Sequence, residues 1–276
     1  MPLAERDVSY VRDLVYGASA IVIESGKGYL VEARLTPIAR DAGFVDLTAL
    51  VTHLRSSARN GLHAKVVEAM TTNETTFFRD VHPFELLKTD VIPRFLESKK
   101  ASRSLRIWCG ASSTGQEPYT IAMVLKEHFP RLSDWKVSIV ATDINTAVLE
   151  RARTGIYSQL EVNRGLPAPY LVKYFERRGA EFALKEEIRK AVDFRVLNLT
   201  ADWPNLAAID VVFLRNVLIY FDVPTKKRIL GRVYDAMTCD GVLFLGGAET
   251  TLNLDDRFKR VETTSGRTVA YDKKPR

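Results

Sequence analysis

Apolar residues recur at helical spacing through the first quarter of the chain. Val8, Val11, Leu14 and Val15 share one face, as do Leu30, Val31, Leu35 and Ile38, and then Leu47, Leu50, Val51 and Leu54. Gly26, Gly43 and Asn60-Gly61 interrupt the pattern, which predicts about four short helices between Arg6 and Met70. Asp46, ahead of Leu-Thr-Ala, supplies an N-cap for one of them. From Ser104 the pattern changes to short apolar runs alternating with helical stretches. Leu105–Trp108, Val137–Thr142, Phe194–Leu197, Asp210–Leu214 and Val242–Leu245 read as strands, and Pro118–Phe129, Asn145–Thr154 and Thr225–Met237 as helices. Strands that alternate with helices in this way predict an α/β fold, a parallel sheet wound on both faces.

Two stretches break the alternation. Phe258–Glu262 and Thr268–Asp272 flank Ser265-Gly266, which predicts an antiparallel hairpin closing the sheet. Gly155–Val192 is too long for a simple connection and is punctuated by Pro167, Pro169 and Gly179. It predicts a helix near Pro169–Phe175 and a short hairpin around Arg178-Gly179. The expected organisation is a helical domain over 1–71, a linker over 72–91, and an α/β domain over 92–276 carrying an inserted subdomain at about 155–192.

Composition narrows the class further. The chain of 276 residues is 46% hydrophobic and 27% charged, ordinary for a globular protein with a sizeable core. No run approaches the roughly 18 apolar residues that span a bilayer, and the start MPLAERDVSYVRD lacks the pattern of a secretory signal, so the expected location is cytoplasmic. Cys109 and Cys239 have no metal-ligand spacing and cannot form a disulfide framework. No metal is expected. In that compartment the sequons at Asn73 and Asn198 are chance matches. The net charge of +6 is unevenly spread: 9 Lys and Arg face 11 Asp and Glu over residues 1–85, and 31 face 23 over the remainder. Short runs such as Lys226-Lys227-Arg228 lack the interleaved aromatics of a nucleic-acid surface, and no nucleic-acid partner is expected. Nothing indicates a stable oligomer, so a monomer is expected.

In an open parallel sheet, ligands sit outside the carboxyl ends of the strands where the winding reverses. The first such loop, Cys109–Glu117, holds Gly110 and Gly115 around Ala-Ser-Ser-Thr, small residues that let a ligand approach the backbone. Dinucleotide enzymes, phosphate sites and methyltransferases all use such a turn, and a tight packing turn fits it equally well. Asp143, at the end of the second strand, can accept from both hydroxyls of a ribose. It lies 28 residues beyond Gly115, and the loop lacks G-x-G-x-x-G, both against a dinucleotide. Asn198 and Asn216 follow the third and fourth strands, where each serves either as an amide for a ligand or as a turn residue.

Four motifs in one order carry a resemblance. Thr72-Asn-Glu-Thr-Thr-Phe-Phe-Arg-Asp80, Ile107-Trp-Cys-Gly-Ala-Ser-Ser-Thr-Gly-Gln-Glu-Pro-Tyr119, Ala141-Thr-Asp-Ile144 and Phe213-Leu-Arg-Asn-Val-Leu-Ile-Tyr-Phe-Asp222 together resemble the CheR-type chemotaxis protein methyltransferases, over the whole chain. The resemblance implies a class I S-adenosylmethionine methyltransferase: a Rossmann-like doubly wound sheet with a C-terminal antiparallel hairpin, a small N-terminal all-α domain and a small antiparallel β insertion. It implies methyl transfer to glutamate side chains on the cytoplasmic signalling domain of methyl-accepting chemoreceptors. Carried over by position, Asn73, Thr75, Arg79, Glu117, Asp143, Asn198, Leu199, Arg215 and Asn216 look like the cofactor contacts, and Arg79 and Tyr220 like the pair nearest the transferred methyl group. Gln116 stands where many relatives have glutamate, so the cofactor role passes to Glu117 and Gln116 is left as a surface neighbour. The Glu176–Arg189 region is a few residues shorter than in relatives that grip a receptor's C-terminal pentapeptide, which argues against tethering. Lys27, Arg34 and Arg40 are the candidates for approaching an acidic receptor surface.

The chemistry suits these residues. A glutamate acceptor, with an ordinary pKa near 4.3, is already ionised at neutral pH and needs no strong base. His53, His63, His82 and His128 all lie outside the motifs and are expected on helix surfaces. Excluding water would neutralise a carboxylate unless a cation holds it charged, a role that suits Arg79 because a guanidinium stays charged when buried. The Tyr220 hydroxyl would donate one aimed hydrogen bond, and Phe77, Phe78 and Phe221 would form apolar walls. Structural alternatives stand beside these roles: a T-x-x-E capping box for Thr71–Glu74, a hydrophobic anchor for the two phenylalanines, and a core aromatic continuing the strand for Tyr220. Two rival functions remain open. One is methylation of RNA or a small molecule, although Arg215-Asn-Val-Leu stands where base-methylating enzymes carry an Asp/Asn-Pro-Pro-aromatic tetrad. The other is a non-catalytic cofactor sensor.

Overall fold

The computed structural model describes residues 3–204, 206, 208–262 and 269–274. They divide into two compact units, one formed by the residues up to Thr72 together with Tyr220–Thr225, the other by residues 73–219 and 226 onward.

The first unit contains the four predicted helices, α1 (Glu5–Ser19), α2 (Gly28–Asp41), α3 (Leu47–Ser56) and α4 (Gly61–Ala69). Their apolar stripes converge, so Val11, Val15, Val31, Leu35, Leu50, Val51 and Val66 are fully buried. Asp46 caps α3 by accepting from the Ala49 amide at 2.7 Å, and Asn60 caps α4 together with His63. His63 is therefore a buried structural residue and not the surface histidine expected, its Nε2 lying 2.9 Å from the Leu54 carbonyl. Arg34 gathers the end of α4, donating from Nη1 to the carbonyls of Met70 (2.7 Å) and Thr71 (2.9 Å) and from Nη2 to Thr72 Oγ1. Orphan carbonyls at a helix C-terminus attract a cation for the same reason. The capping-box alternative at Thr71 is overturned. Thr71 Oγ1 donates back to the Glu68 carbonyl at 2.6 Å, closing α4, and the next helix to start is α5 (His82–Leu86).

In the second unit α5 runs through a π turn (Leu87–Val91) into α6 (Ile92–Ser98). The sheet then begins: β1 (Ser104–Gly110), α7 (Gln116–His128), β2 (Lys136–Asp143) and α8 (Thr146–Thr154). The insertion follows as β3 (Ile156–Ser158), α9 (Gln159–Asn163), α10 (Ala168–Tyr174), β4 (Phe175–Arg178), β5 (Glu181–Leu184) and α11 (Glu186–Arg189). The chain returns with β6 (Val192–Val196), β7 (Ile209–Leu214), α12 (Val223–Ala236, in this unit from Lys226 onward), β8 (Met237–Leu245), β9 (Phe258–Arg260) and β10 (Ala270–Lys273). The seven-stranded order is β6-β2-β1-β7-β8-β10-β9, parallel through β8 and antiparallel at β10 and β9. The doubly wound sheet and its antiparallel closure are as expected; Ser265-Gly266 itself lies outside the described residues. Winding reverses on either side of β1, which places a crevice at the carboxyl ends of β1 and β7.

The insertion forms its own antiparallel sheet, β3-β5-β4, with Gly179 in the left-handed region at the β4–β5 turn. Phe77 packs edge-on against Tyr157 and Phe175 of this subdomain, with ring centroids 4.9 and 5.6 Å apart, and Phe78 packs against Phe84 and Tyr170. Burying each ring contributes about 1.5–3 kcal/mol, so the two phenylalanines anchor the segment after Thr72.

Candidate active site

The loop from β1 to α7 is shaped by its backbone. Ala111, Ser113 and Gly115 all have positive φ (56°, 50° and 92°). Left-handed non-glycine residues persist only where their surroundings over-determine them. Here the Ser112 amide donates to the Thr142 carbonyl, and the Ser113 amide donates to Asp143 Oδ2, both at 2.9 Å. Glycine suits position 115, where φ is one that side chains rarely adopt and a Cβ would crowd the Ala152 Cβ at 3.0 Å. Asp143 Oδ1 accepts from the Asn145 amide at 2.9 Å, so backbone donors from both the β1–α7 loop and the start of α8 orient this carboxylate at the end of β2. The Ser112 hydroxyl is buried without a hydrogen-bond partner among the described residues. Such an orphan is expected where a ligand completes the site.

Arg215, immediately after β7, has a side chain only 1% exposed. Its Nη1 donates to Glu117 Oε2 at 2.7 Å, and its Nη2 to Asp80 Oδ2 at 2.6 Å and to the Arg79 carbonyl at 3.1 Å. The fork thus ties the first turn of α7 to the Asn73–Arg79 segment. Arg215 and Glu117, both expected to touch the cofactor, are engaged with each other. Burial raises the Glu117 carboxyl above its ordinary 4.5, opposed by the neighbouring charges of Arg215 and then Arg79. Burial likewise pushes the Cys109 thiol well up, which makes it a poor nucleophile. Gln116 is buried, contrary to expectation, and its Oε1 accepts from Thr114 Oγ1 at 2.8 Å.

Asn216 has φ 58° and donates its amide to Glu249 Oε2 at 2.8 Å. Glu249 also accepts from the amides of Leu218 (2.7 Å) and Gly246 (2.6 Å), so one carboxylate holds the turns after β7 and β8 together. A Cβ on Gly246 would come within 2.7 Å of Asn216 Nδ2. Glu249 was not among the expected residues; its one sequence signal is an acid just after the Gly246-Gly247 pair that ends a strand. Asn198 takes the turn role, Oδ1 accepting from Thr200 N (2.9 Å) and Thr200 Oγ1 (2.8 Å), beside buried Leu199.

The Asn73–Arg79 segment is bound to the loop after β1: Ser113 Oγ donates to the Asn73 carbonyl at 2.7 Å, and the Phe78 amide donates to Thr120 Oγ1 of α7 at 3.2 Å. Arg79 is half-buried, with Nη1 donating to the Glu74 carbonyl at 3.0 Å. Residues 74–80, with Thr75 and Arg79 among them, wall a cavity of about 320 Å³ completed by Arg164 and Gly165. Tyr220 ends a single 3-10 turn (Leu218–Tyr220) and is half-buried, which overturns the core-strand alternative. It belongs to the first unit, where its carbonyl accepts from the Val22 amide at 2.9 Å. Arg79 belongs to the second.

Comparison with known proteins decides the family. Residues 6–71 match the family described as "CheR methyltransferase, all-alpha domain", and residues 73–267 match "CheR methyltransferase, SAM binding domain". The chain belongs to the CheR methyltransferase family. It is 40% identical over 271 residues to the chemotaxis protein methyltransferase Cher2 of Pseudomonas putida, covering 96% of this chain and 98% of that one. It is also 40% identical over 270 residues to chemotaxis protein methyltransferase 1 of Pseudomonas aeruginosa, covering 96% and 98%. Chemotaxis protein methyltransferase 1 of Vibrio cholerae is 36% identical over 250 residues, covering 89% and 90%.

As a CheR methyltransferase, the chain is an S-adenosylmethionine-dependent enzyme of chemotaxis. The residues at the β1–β7 crevice fit that cofactor. The buried Ser112 hydroxyl has no hydrogen-bond partner among the described residues, and the buried carboxyl groups of Asp143 and Glu117 stand at the same strand ends, a donor set that suits a group carrying hydroxyls and a cationic sulfonium. Among the described residues no helix is long and apolar enough to cross a membrane, and no cluster of His, Cys, Asp or Glu could hold a metal ion.

Proposed function

We propose that the enzyme methylates glutamate side chains on the cytoplasmic signalling domain of chemoreceptors, forming γ-methyl esters. The observation that carries the proposal is Arg79, a half-buried guanidinium lining a cavity whose walls contain no histidine. Such a site suits an acceptor that is already an anion and needs its charge preserved rather than a proton removed. In the transfer the carboxylate oxygen forms an O–CH3 bond as the S–CH3 bond breaks. The electron pair of the broken bond stays on sulfur, so the sulfonium becomes a neutral thioether and the carboxylate a neutral ester. No proton changes hands.

In this account Arg79 keeps the incoming carboxylate ionised and aligned, and the Tyr220 hydroxyl donates one hydrogen bond to the reacting groups. Asp143 accepts from the cofactor ribose, and Asn73, Thr75, Glu117, Asn198, Leu199, Arg215 and Asn216 shape the rest of the cofactor's surroundings. Arg215 does so indirectly, by fixing Glu117 and the Asn73–Arg79 segment. Of the basic residues considered for receptor contact, Arg34 is occupied at the end of α4, whereas Lys27 and Arg40 are held only by exposed ion pairs with Glu24 and Asp41, which contribute on the order of 0–1 kcal/mol and open readily.

Incubation with methyl-tritiated S-adenosylmethionine and receptor-containing membranes tests the proposal. Label on the receptor that mild base releases as methanol supports it. Base-stable label on RNA or a small molecule contradicts it, and so does cofactor binding without any transfer.

A further inference from the structure

The cavity beside Arg79 has two walls of different origin. Residues 74–80 of the linker form one, and Arg164 with Gly165, in the turn between α9 and α10 of the insertion, form the other. None of the loop after β1, nor Asp143, lines it, so it is distinct from the crevice at the strand ends. Its volume of about 320 Å³ is at the small end of ligand pockets and ample for a single side chain.

We propose that this cavity is the entry for the acceptor side chain, and that Arg164 is a specificity residue that receives the acceptor's carboxylate at its mouth. The inference rests on the glutamate reading above and names the part of the insertion that serves it.

Four ionisable groups line the cavity: Glu74, Arg79, Asp80 and Arg164. Asp80 is committed to the buried Arg215. Glu74 pairs with Arg164, and both side chains are exposed, 62% and 60%. An ion pair in that setting is worth little, on the order of 0–1 kcal/mol, so it opens readily. A carboxylate arriving from solvent can replace Glu74 on the Arg164 fork at small net cost, because one charge-assisted pair is exchanged for another. Arg79, deeper and donating to the Glu74 backbone carbonyl, stands as the next cation along the path.

The turn that carries Arg164 is held hard against the linker. Gly165 has φ 94°, and a Cβ there would lie 2.2 Å from the Phe77 carbonyl oxygen, an approach only glycine permits. Phe77 is in turn locked between Tyr157 and Phe175. The backbone at Arg164 is therefore fixed while its exposed guanidinium can swing between partners. Once the acceptor has become a neutral ester it no longer competes, and Glu74 reclaims Arg164. Entry thus selects for charge, and the product is released by the loss of it.

Steady-state kinetics with a receptor signalling fragment as the varied substrate, with calorimetry of S-adenosylhomocysteine on the same proteins, test the inference. Arg164→Ala is expected to raise KM for the receptor fragment about three- to tenfold with cofactor-product affinity unchanged, and Arg164→Lys to recover part of the loss. Glu74→Gln removes the competitor and is expected to lower that KM about two- to threefold. A pair that merely holds the turn in place gives the opposite pattern, both substitutions raising KM or neither moving it. Either result overturns the inference while wild-type transfer to the receptor leaves the glutamate reading intact. Wild-type protein that transfers nothing to receptors removes that reading and this inference with it.

Discussion

A guanidinium buried as deeply as Arg215 requires its neighbours to carry compensating charge, and Glu117 and Asp80 supply it. Glu117 shows the strain of that arrangement. Its pKa is raised from 4.5 by burial, with Arg215 and then Arg79 pulling it back only in part. A carboxyl raised on folding contributes stability that is complete below its unfolded value and is lost as pH rises through its folded value. The stability of the wild type relative to Glu117→Gln should therefore fall as pH rises above the ordinary glutamate value of 4.5, as measured by urea unfolding. A relative stability that climbs as pH rises would show that Arg215 keeps Glu117 more acidic than an ordinary glutamate. Tyr220 makes a sharper claim at the same scale. Loss of one aimed donor removes ~2–4 kcal/mol of transition-state stabilisation, so Tyr220→Phe should lower kcat about thirtyfold or more while S-adenosylhomocysteine binding persists. Unchanged turnover would reduce Tyr220 to packing.

At the scale of elements, the linker owes its place to close backbone approach as much as to its phenylalanines. Gly165→Ala forces a methyl onto the Phe77 carbonyl and a side chain into φ 94°. We expect it to destabilise the fold by ~1–3 kcal/mol and to weaken cofactor binding through Asn73, measured by urea unfolding and calorimetry. A variant as stable as wild type would mean the turn shifts freely. The amphipathic helices and buried parallel strands were legible in the sequence because each carries its own period: Val8 to Val15 for α1, Val137 to Thr142 for β2. The parts that escaped have no local period. β3 is three residues, Ile156–Ser158, and exists because β5 pairs with it across the insertion. The 3-10 turn at Tyr220 continues an apolar run that looks like strand, and the Glu249 carboxylate accepts from the Leu218 and Ile219 amides within that turn. Glu249 lies 33 residues from Asn216, too far for any local pattern to join them. The motifs were visible as separate sequence blocks, yet pairing between them, Arg215 to Glu117 above all, depends on side chains meeting between distant elements.

For the molecule as a whole, two compact units and an uneven charge, net −2 over residues 1–85 and +8 over the rest, frame the behaviour. Ligand that binds only the folded state adds stability by mass action. S-adenosylhomocysteine at about a hundred times its Kd should stabilise the protein by about 2.7 kcal/mol, seen as a rise in Tm that grows with ligand concentration. Absence of any rise at that excess would argue that the β1–β7 crevice does not take the cofactor.

The central claim concerns the atom that receives the methyl group. Mass spectrometry of receptor peptides after incubation with unlabelled S-adenosylmethionine locates it directly. The predicted result is a single added methyl mass on glutamate residues of the receptor signalling domain, removed by mild base and missing when Arg79→Ala replaces the wild-type enzyme. A methyl group found on lysine, on a terminus or on no receptor residue would contradict it.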